Sequence, residues 1–160
     1  MESQHQMKTP ITHGAPVITS QVNDLQKVWY TGRVSVTGGR DGRARSSDGQ
    51  LDLGLSQPGS KKPGSNPEQL LAAGWSACFT SAMQLNAPAL GVALPEGTRV
   101  EAEVDLATGT GGYFISARLQ VILPGLDDTL AAELVKTAHG SCPYSKATKG
   151  NINVDIRVVV

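Results

Sequence analysis

The stretch that leaves fewest folds open is residues 66–85, NPEQLLAAGWSACFTSAMQL. Asn66 is a residue type whose side chain caps helix N-termini, Pro67 has its φ preset for a first helical position, and Gln69 can complete a capping box. Beyond the cap the side chains are apolar or small on nearly every side, so the helix has no face suited to water. The apolar run is shorter than the ~20 residues that a bilayer span requires. Such a helix must lie inside the protein or in a subunit interface, and the rest of the 160-residue chain has to be built around it. That length suits one domain with a real core.

The flanking segments predict strands and a second helix. In VWYTGRVSVTG, Val28, Tyr30, Val34 and Val36 alternate as in a strand. GGRDGRARSSDG reads as a turn-rich connection, after which Leu51, Leu53 and Leu55 resume the alternation, giving a β-hairpin with a long loop. SQPGSKKPGSN is loop by composition. After the buried helix, Val100, Ala102, Val104 and Leu106 alternate, GTGG turns, and YFISARLQVIL returns as a strand. Asp127 or Asp128 can cap a helix over TLAAELVKTAHG; SCPYSKATKG is a turn or short helix, and NINVDIRVVV a closing strand. The order ββ, helix, ββ, helix, β, with no βαβ alternation, predicts an α+β fold. Residues 1–24 are polar, carry Pro10, Gly14 and Pro16 and lack periodicity, so they read as a flexible arm ahead of a single domain at 25–160.

Composition narrows the function. Fourteen basic residues balance fourteen acidic ones, so no net field draws the protein to nucleic acid or an anionic membrane, and no helix-turn-helix or basic face suggests a repressor. The N-terminal sequence has neither the apolar core of a secretory signal nor the arginine richness of a transit peptide, which predicts a cytoplasmic, reducing location. A permanent disulfide is then not expected, and cysteines that pair do so transiently, in redox work.

The chain has two cysteines. A lone Cys78 in an apolar helix would read as small apolar filler. Cys142, by contrast, precedes Pro143 in a polar stretch with Tyr144, Ser145, Thr148 and Lys149, where a thiol has no evident packing role. One shielded helical cysteine and one in a mobile-looking segment fit an attacking and resolving pair. A metal site fits poorly: with His139 there would be three ligands at most, without CxxC or HxxxH spacing.

At these residues the sequence resembles a known family. NPEQLLAAGWSACF (66–79) and CPYSKATKGNINV (142–154) are similar to the two signature segments of the organic hydroperoxide resistance (Ohr) family, within the OsmC superfamily. GGRDG at 38–42 with SSDGQLDL at 46–53 resembles its N-terminal hairpin, and EVDLATGTGGYFISARLQVILPGLD its central strand pair. The likeness runs from about residue 25 to the C-terminus. It implies an intertwined α+β homodimer with active sites at the interface, an OsmC-like fold, and a cysteine peroxidase that prefers organic hydroperoxides and serves oxidative-stress resistance. It also implies a lipoylated protein, through its dihydrolipoyl dithiol, as external reductant, with no bound cofactor or metal. By this resemblance Cys78 is the peroxidatic nucleophile, Cys142 the resolving cysteine, Arg40 the catalytic arginine and Glu68 its carboxylate partner. Trp75 stands where Tyr is common, and Lys146 and Lys149 where Asn and Arg are common; the four key positions are unaffected.

These roles make chemical sense. A free thiol near pKa 8.5 is mostly protonated at neutral pH, and burial raises its pKa, so a cation is needed to favour the thiolate. Arg40 can supply it and hydrogen-bond the peroxide, while Glu68 holds the guanidinium. Glu68 and Cys78 are ten residues apart, roughly 15 Å along a straight helix. They cannot share one arginine within a helix unless it breaks near Gly74, so the pair of Arg40 and Glu68 is expected to meet Cys78 of the partner subunit. Simpler readings stand beside these. Arg43 and Arg45 can do the work of Arg40, and Glu68 can merely favour the helix dipole. Asp41 shapes a turn, His139 packs or caps, and Trp75 and Phe79 pack, with Phe79 also a candidate pocket wall. A redox sensor in the same superfamily and a binding module with inert thiols are the rival functions.

Overall fold

The computed structural model describes residues 18–160, which fall into two units: Met1–Gly32, described from residue 18, and Arg33–Val160. The described part of the first unit contains no helix or strand. Its Val22, Leu25, Val28, Trp29 and Tyr30 are exposed, and the Lys27 ammonium lies 3.8 Å from the centre of the Trp29 ring. The strand expected through Val28 and Tyr30 therefore begins only at Val34. Alternation reports which face a residue would take, but a strand also needs a partner for its backbone, and among the described residues no strand pairs with 28–32.

The second unit opens with a three-stranded antiparallel meander, β1 (Val34–Thr37), β2 (Arg43–Ser46) and β3 (Asp52–Gly54). The expected two-stranded hairpin is thus corrected: part of its presumed loop, Arg43–Ser46, is the middle strand. RARS offers one apolar side chain, Ala44, which is buried, so its periodicity is too weak to read. Between β1 and β2 a single 3-10 turn, Gly39–Asp41, carries Arg40 outward. Gly38 holds φ at 70°, and a Cβ on Gly42 would stand 1.5 Å from the Thr37 carbonyl oxygen, so this turn requires glycine at both ends.

Helix α1 runs unbroken over Pro67–Asn86. The Asn66 side chain accepts from the Gln69 backbone N–H at 2.9 Å, but Gln69 does not close a capping box: its amide oxygen accepts from the Ser65 hydroxyl at 3.0 Å. Trp75, Phe79, Ala82 and Met83 form its fully buried face, at spacings of one and two helical turns. Its other sides are half-covered or open, Leu85 being 82% exposed, so one chain buries less of this helix than its composition requires.

That buried face packs on a second sheet, β4 (Arg99–Gly109), β5 (Gly112–Ile122) and β6 (Asn153–Val159), with β5 central. Ala117, Leu119 and Val121 alternate toward α1, and α2 (Asp128–Ser141), capped by Asp127, adds Ala131, Leu134 and Ala138 to the same core. A short α3 (Pro143–Thr148) follows. β6 runs parallel to β5, from Ser116 opposite Asn153 to Ile122 opposite Val159. The expectation of no βαβ unit is therefore wrong for this crossover: parallel strands need a long connection, and α2 with α3 supplies it. The fold remains α+β. No described helix is long and apolar enough to cross a membrane.

Candidate active site

Cys78 lies on α1, one turn after Gly74 and Trp75, and is partly exposed. Cys142 is the joint between α2 and α3, where the backbone leaves the helical region (φ −63°, ψ 122°) ahead of Pro143. Its expected mobility is corrected: Cys142 is fully buried, its N–H bonded to the Ala138 carbonyl at 2.8 Å and its own carbonyl to the Lys146 N–H at 2.9 Å. Of the pair, the helical cysteine is thus the more accessible. A polar sequence around Cys142 hid this, because Tyr144 and Lys146 are exposed while Cys142 and Ser145 face the core.

The two sulfurs are 3.4 Å apart, with both thiols free. Burial, first of all, pushes the Cys78 thiol up, and the neighbouring Cys142 thiol adds to this; a hydrogen bond from the Tyr144 backbone N–H works the other way, toward the thiolate. Among the described residues, no cation acts on it.

Arg40 and Glu68 meet at the other end of α1. The guanidinium donates through Nη1 to Glu68 Oε2 at 2.8 Å and through Nη2 to Oε1 at 2.6 Å, a two-fold planar pairing. The Glu68 side chain is only 12% exposed, and the hydrogen bonds from Arg40 hold its carboxyl below the usual carboxylate range against the opposing effect of burial. The three neighbouring arginines are now distinguishable: Arg43 pairs with Asp52 at 2.6 Å, Arg45 lies 3.9 Å from the same carboxylate, and Arg40 takes Glu68. Asp41 accepts from the Gln57 side chain at 2.8 Å and so ties the turn to the 56–65 loop.

One chain thus holds two separate pairs. Because α1 does not break at Gly74, Glu68 and Cys78 remain ten residues apart on one helix, about 15 Å of rise. A groove of about 590 Å³ runs past Glu68 and Ala72 and along Val104 and Leu106 of β4; neither cysteine lines it. Phe79 is fully buried in the core, which corrects its reading as a pocket wall. His139 sits in the last turn of α2, and among the described residues its shielded Nδ1 has no hydrogen-bond partner.

Contacts that the sequence reading did not find surround the cysteines. The Trp75 indole N–H donates to Ser145 Oγ at 3.1 Å in the core. Gly74 leaves room for the Tyr144 ring, whose hydroxyl would be 2.9 Å from a Cβ at that position. A glycine inside an otherwise well-formed helix was the available signal, since it costs about 1 kcal/mol against alanine and calls for a packing reason.

The chain is thus an α+β protein that brings two free thiols into contact, one partly exposed and one buried, on helices laid across a three-stranded sheet. It belongs to the organic hydroperoxide resistance family of the OsmC-like proteins. The family model for OsmC-like protein matches residues 58–157. The chain is 44% identical to an organic hydroperoxide resistance protein of Xanthomonas axonopodis pv. citri, over 82% of this chain and 95% of the relative. It is also 44% identical to the organic hydroperoxide resistance protein OhrA of Bacillus subtilis, over 81% and 95%. The crystal structure of OhrB of B. subtilis superposes with a TM-score of 0.78 at 38% identity, covering 82% of this chain and all of that one.

Proposed function

We propose that this protein is a cytoplasmic, thiol-dependent peroxidase that reduces organic hydroperoxides to alcohols and so contributes to resistance against oxidative stress. The observation that carries this reading is the 3.4 Å approach of an accessible Cys78 sulfur to a buried Cys142 sulfur within one chain. A disulfide needs about 2.05 Å, so closure takes a small shift of side chains and no unfolding. The names of the relatives supply the substrate class.

In the proposed cycle the Cys78 thiolate attacks the outer peroxide oxygen. The O–O bond breaks, the alkoxide takes a proton and leaves as the alcohol, and Cys78 becomes a sulfenic acid. The Cys142 sulfur then displaces hydroxide, which leaves as water, and the disulfide forms. A dithiol, of which the dihydrolipoyl group of a lipoylated protein is the proposed example, reduces it by exchange. Alkyl and fatty-acid hydroperoxides are favoured over hydrogen peroxide, because burial of a hydrocarbon tail is rewarded.

Cys78 needs a cation, and among the described residues of its own chain none contributes to its titration. We assign that role to Arg40 of the partner subunit, held by the partner's Glu68, in a homodimer of the domain at residues 25–160; of the arm expected at 1–24, residues 1–17 lie outside the described residues. Half-covered α1 and the exposed Val34, Val36, Leu106 and Phe114 support burial against a second copy. The test is multiple-turnover reduction of cumene hydroperoxide with dihydrolipoamide as sole reductant. Sustained turnover, faster than with hydrogen peroxide, is expected; thiols that remain free after hydroperoxide treatment would overturn the reading.

A further inference from the structure

The segment that carries Cys142 is tied to α1 by more than its sulfur. Trp75, one turn before Cys78, is fully buried, and its indole N–H donates at 3.1 Å to the hydroxyl of Ser145, itself 1% exposed. Beside it, Gly74 admits the Tyr144 ring, and the Cys142 sulfur lies 3.4 Å from that of Cys78. Residues 74–78 of one helix thus meet residues 142–145 at three points. We infer that Trp75 and Ser145 are positioning residues for the resolving step: their hydrogen bond holds α3 against α1 so that the Cys142 sulfur stays within reach of Cys78.

The joint needs such a tie. Cys142 has non-helical backbone between two helices, and α3 is only six residues long, far below the roughly 12–15 at which a helix is stable by itself. Packing alone would leave it free to slide, because apolar contact is not directional. A phenylalanine at position 75 would keep an aromatic ring there, leave part of the indole's space empty and give the Ser145 hydroxyl no donor. The indole N–H and the hydroxyl, both out of water, each lose a partner if the segment shifts, which penalises every arrangement but this one.

The inference rests on the proposed pairing of Cys78 with Cys142 and adds what holds that pair. In the step concerned, the S–O bond of the Cys78 sulfenic acid breaks and the S–S bond forms. The oxygen leaves as hydroxide and gains the thiol proton to become water. The hydroperoxide is the only oxidant required. A slower S–S closure leaves the sulfenic acid exposed to a second hydroperoxide, which carries it to sulfinic acid.

The test compares wild type, Trp75→Phe and Ser145→Ala in glutathione redox buffers, with the dithiol and disulfide forms separated by mass. This titration involves no peroxide, so it stands even if the peroxidase reading falls. Loss of the tie is expected to lower the effective concentration of the cysteine pair roughly tenfold in either variant, and no further in the double variant. With excess cumene hydroperoxide, Cys78 sulfinic acid should accumulate in the variants at concentrations that leave the wild type as disulfide. A bond that merely stabilises the fold would lower the melting temperature of Ser145→Ala and leave its glutathione equilibrium at the wild-type value; that result would overturn the inference. Ser145→Ala removes a single oxygen and carries the test if Trp75→Phe does not fold.

Discussion

Cys78 and Cys142 lie against a layer in which Trp75, Phe79, Leu119, Leu134 and Ala138 are almost wholly shielded from water, whereas Arg40 hangs from a meander whose Val34 and Val36 are half exposed. The sulfurs are aligned by a closed core within one chain. The guanidinium is aligned by a turn, a carboxylate and a small sheet with little beneath it. The difference follows from the work proposed for each. Two thiols that must form a bond in the same chain gain from the rigidity of that chain's packing. A cation that serves a thiol elsewhere has to be offered at a surface, where the partner closes over it.

Substitutions can break this comparison at several strengths. Cys78→Ser should abolish turnover of cumene hydroperoxide while leaving the melting temperature close to wild type, because the hydroxyl fits the space of the thiol and lacks its nucleophilicity. Arg40→Met should lower turnover by about 10²–10³-fold, the scale of removing a donor aimed at developing charge. The two defects also test the division between chains. Mixed dimers of Cys78→Ser with Arg40→Met would regain activity, since one interface then holds an intact thiol pair facing an intact Arg40. An unchanged rate after subunit exchange would place all four residues in one chain's pocket.

Gly42→Ala should follow in size. Its Cβ would overlap the Thr37 carbonyl oxygen, costing about 1–3 kcal/mol in urea titrations and lowering activity by displacing Arg40. The same pair sets a pH limit. The Glu68 carboxyl is held below its ordinary range by Arg40, so its contribution to stability is present above the ordinary carboxylate pKa. That contribution is lost as pH falls through the depressed folded value. Thermal melts against pH should show the wild type above Glu68→Gln near neutrality, with the gap closing in acid. The smallest effect belongs to Gly74→Ala. The helix gains about 1 kcal/mol of propensity, but the end of the Tyr144 side chain must swing away. A net change within about 1 kcal/mol is expected, with the glutathione equilibrium of the cysteine pair as the sensitive measure.

Much of the frame was legible in residue order. The cap of α1 at Asn66, the long alternating strands on either side of the turn at 109–112, an α2 cap at Asp127 or Asp128, of which the structure uses Asp127, and the strand character of 153–159 all follow from local pattern. Two readings failed for one reason: both concerned partners. Residues 28–32 alternate without any described strand to pair with, and Arg43–Ser46 pairs on both edges with almost no alternation. Among site residues, the spacing of Glu68 and Cys78 already argued for separation, and the unbroken helix upholds it. Apart from the resemblance carried by GGRDG, nothing local distinguished Arg40 from Arg43 and Arg45, since the choice depends on which carboxylate each reaches across the fold.

The sequence by itself determined a helix that cannot face water, an α+β framework around it, and two cysteines whose surroundings invite redox chemistry. These are matters of periodicity, capping and residue type, each decided within a few neighbours along the chain. Only the tertiary structure decided that Cys142 is the buried member, that the sulfurs touch across 64 residues of sequence, and that Arg40 takes Glu68. It also decided that Trp75 bonds Ser145. Each of those is a contact between segments far apart in the chain, and such contacts are fixed by how layers pack, which no local pattern records.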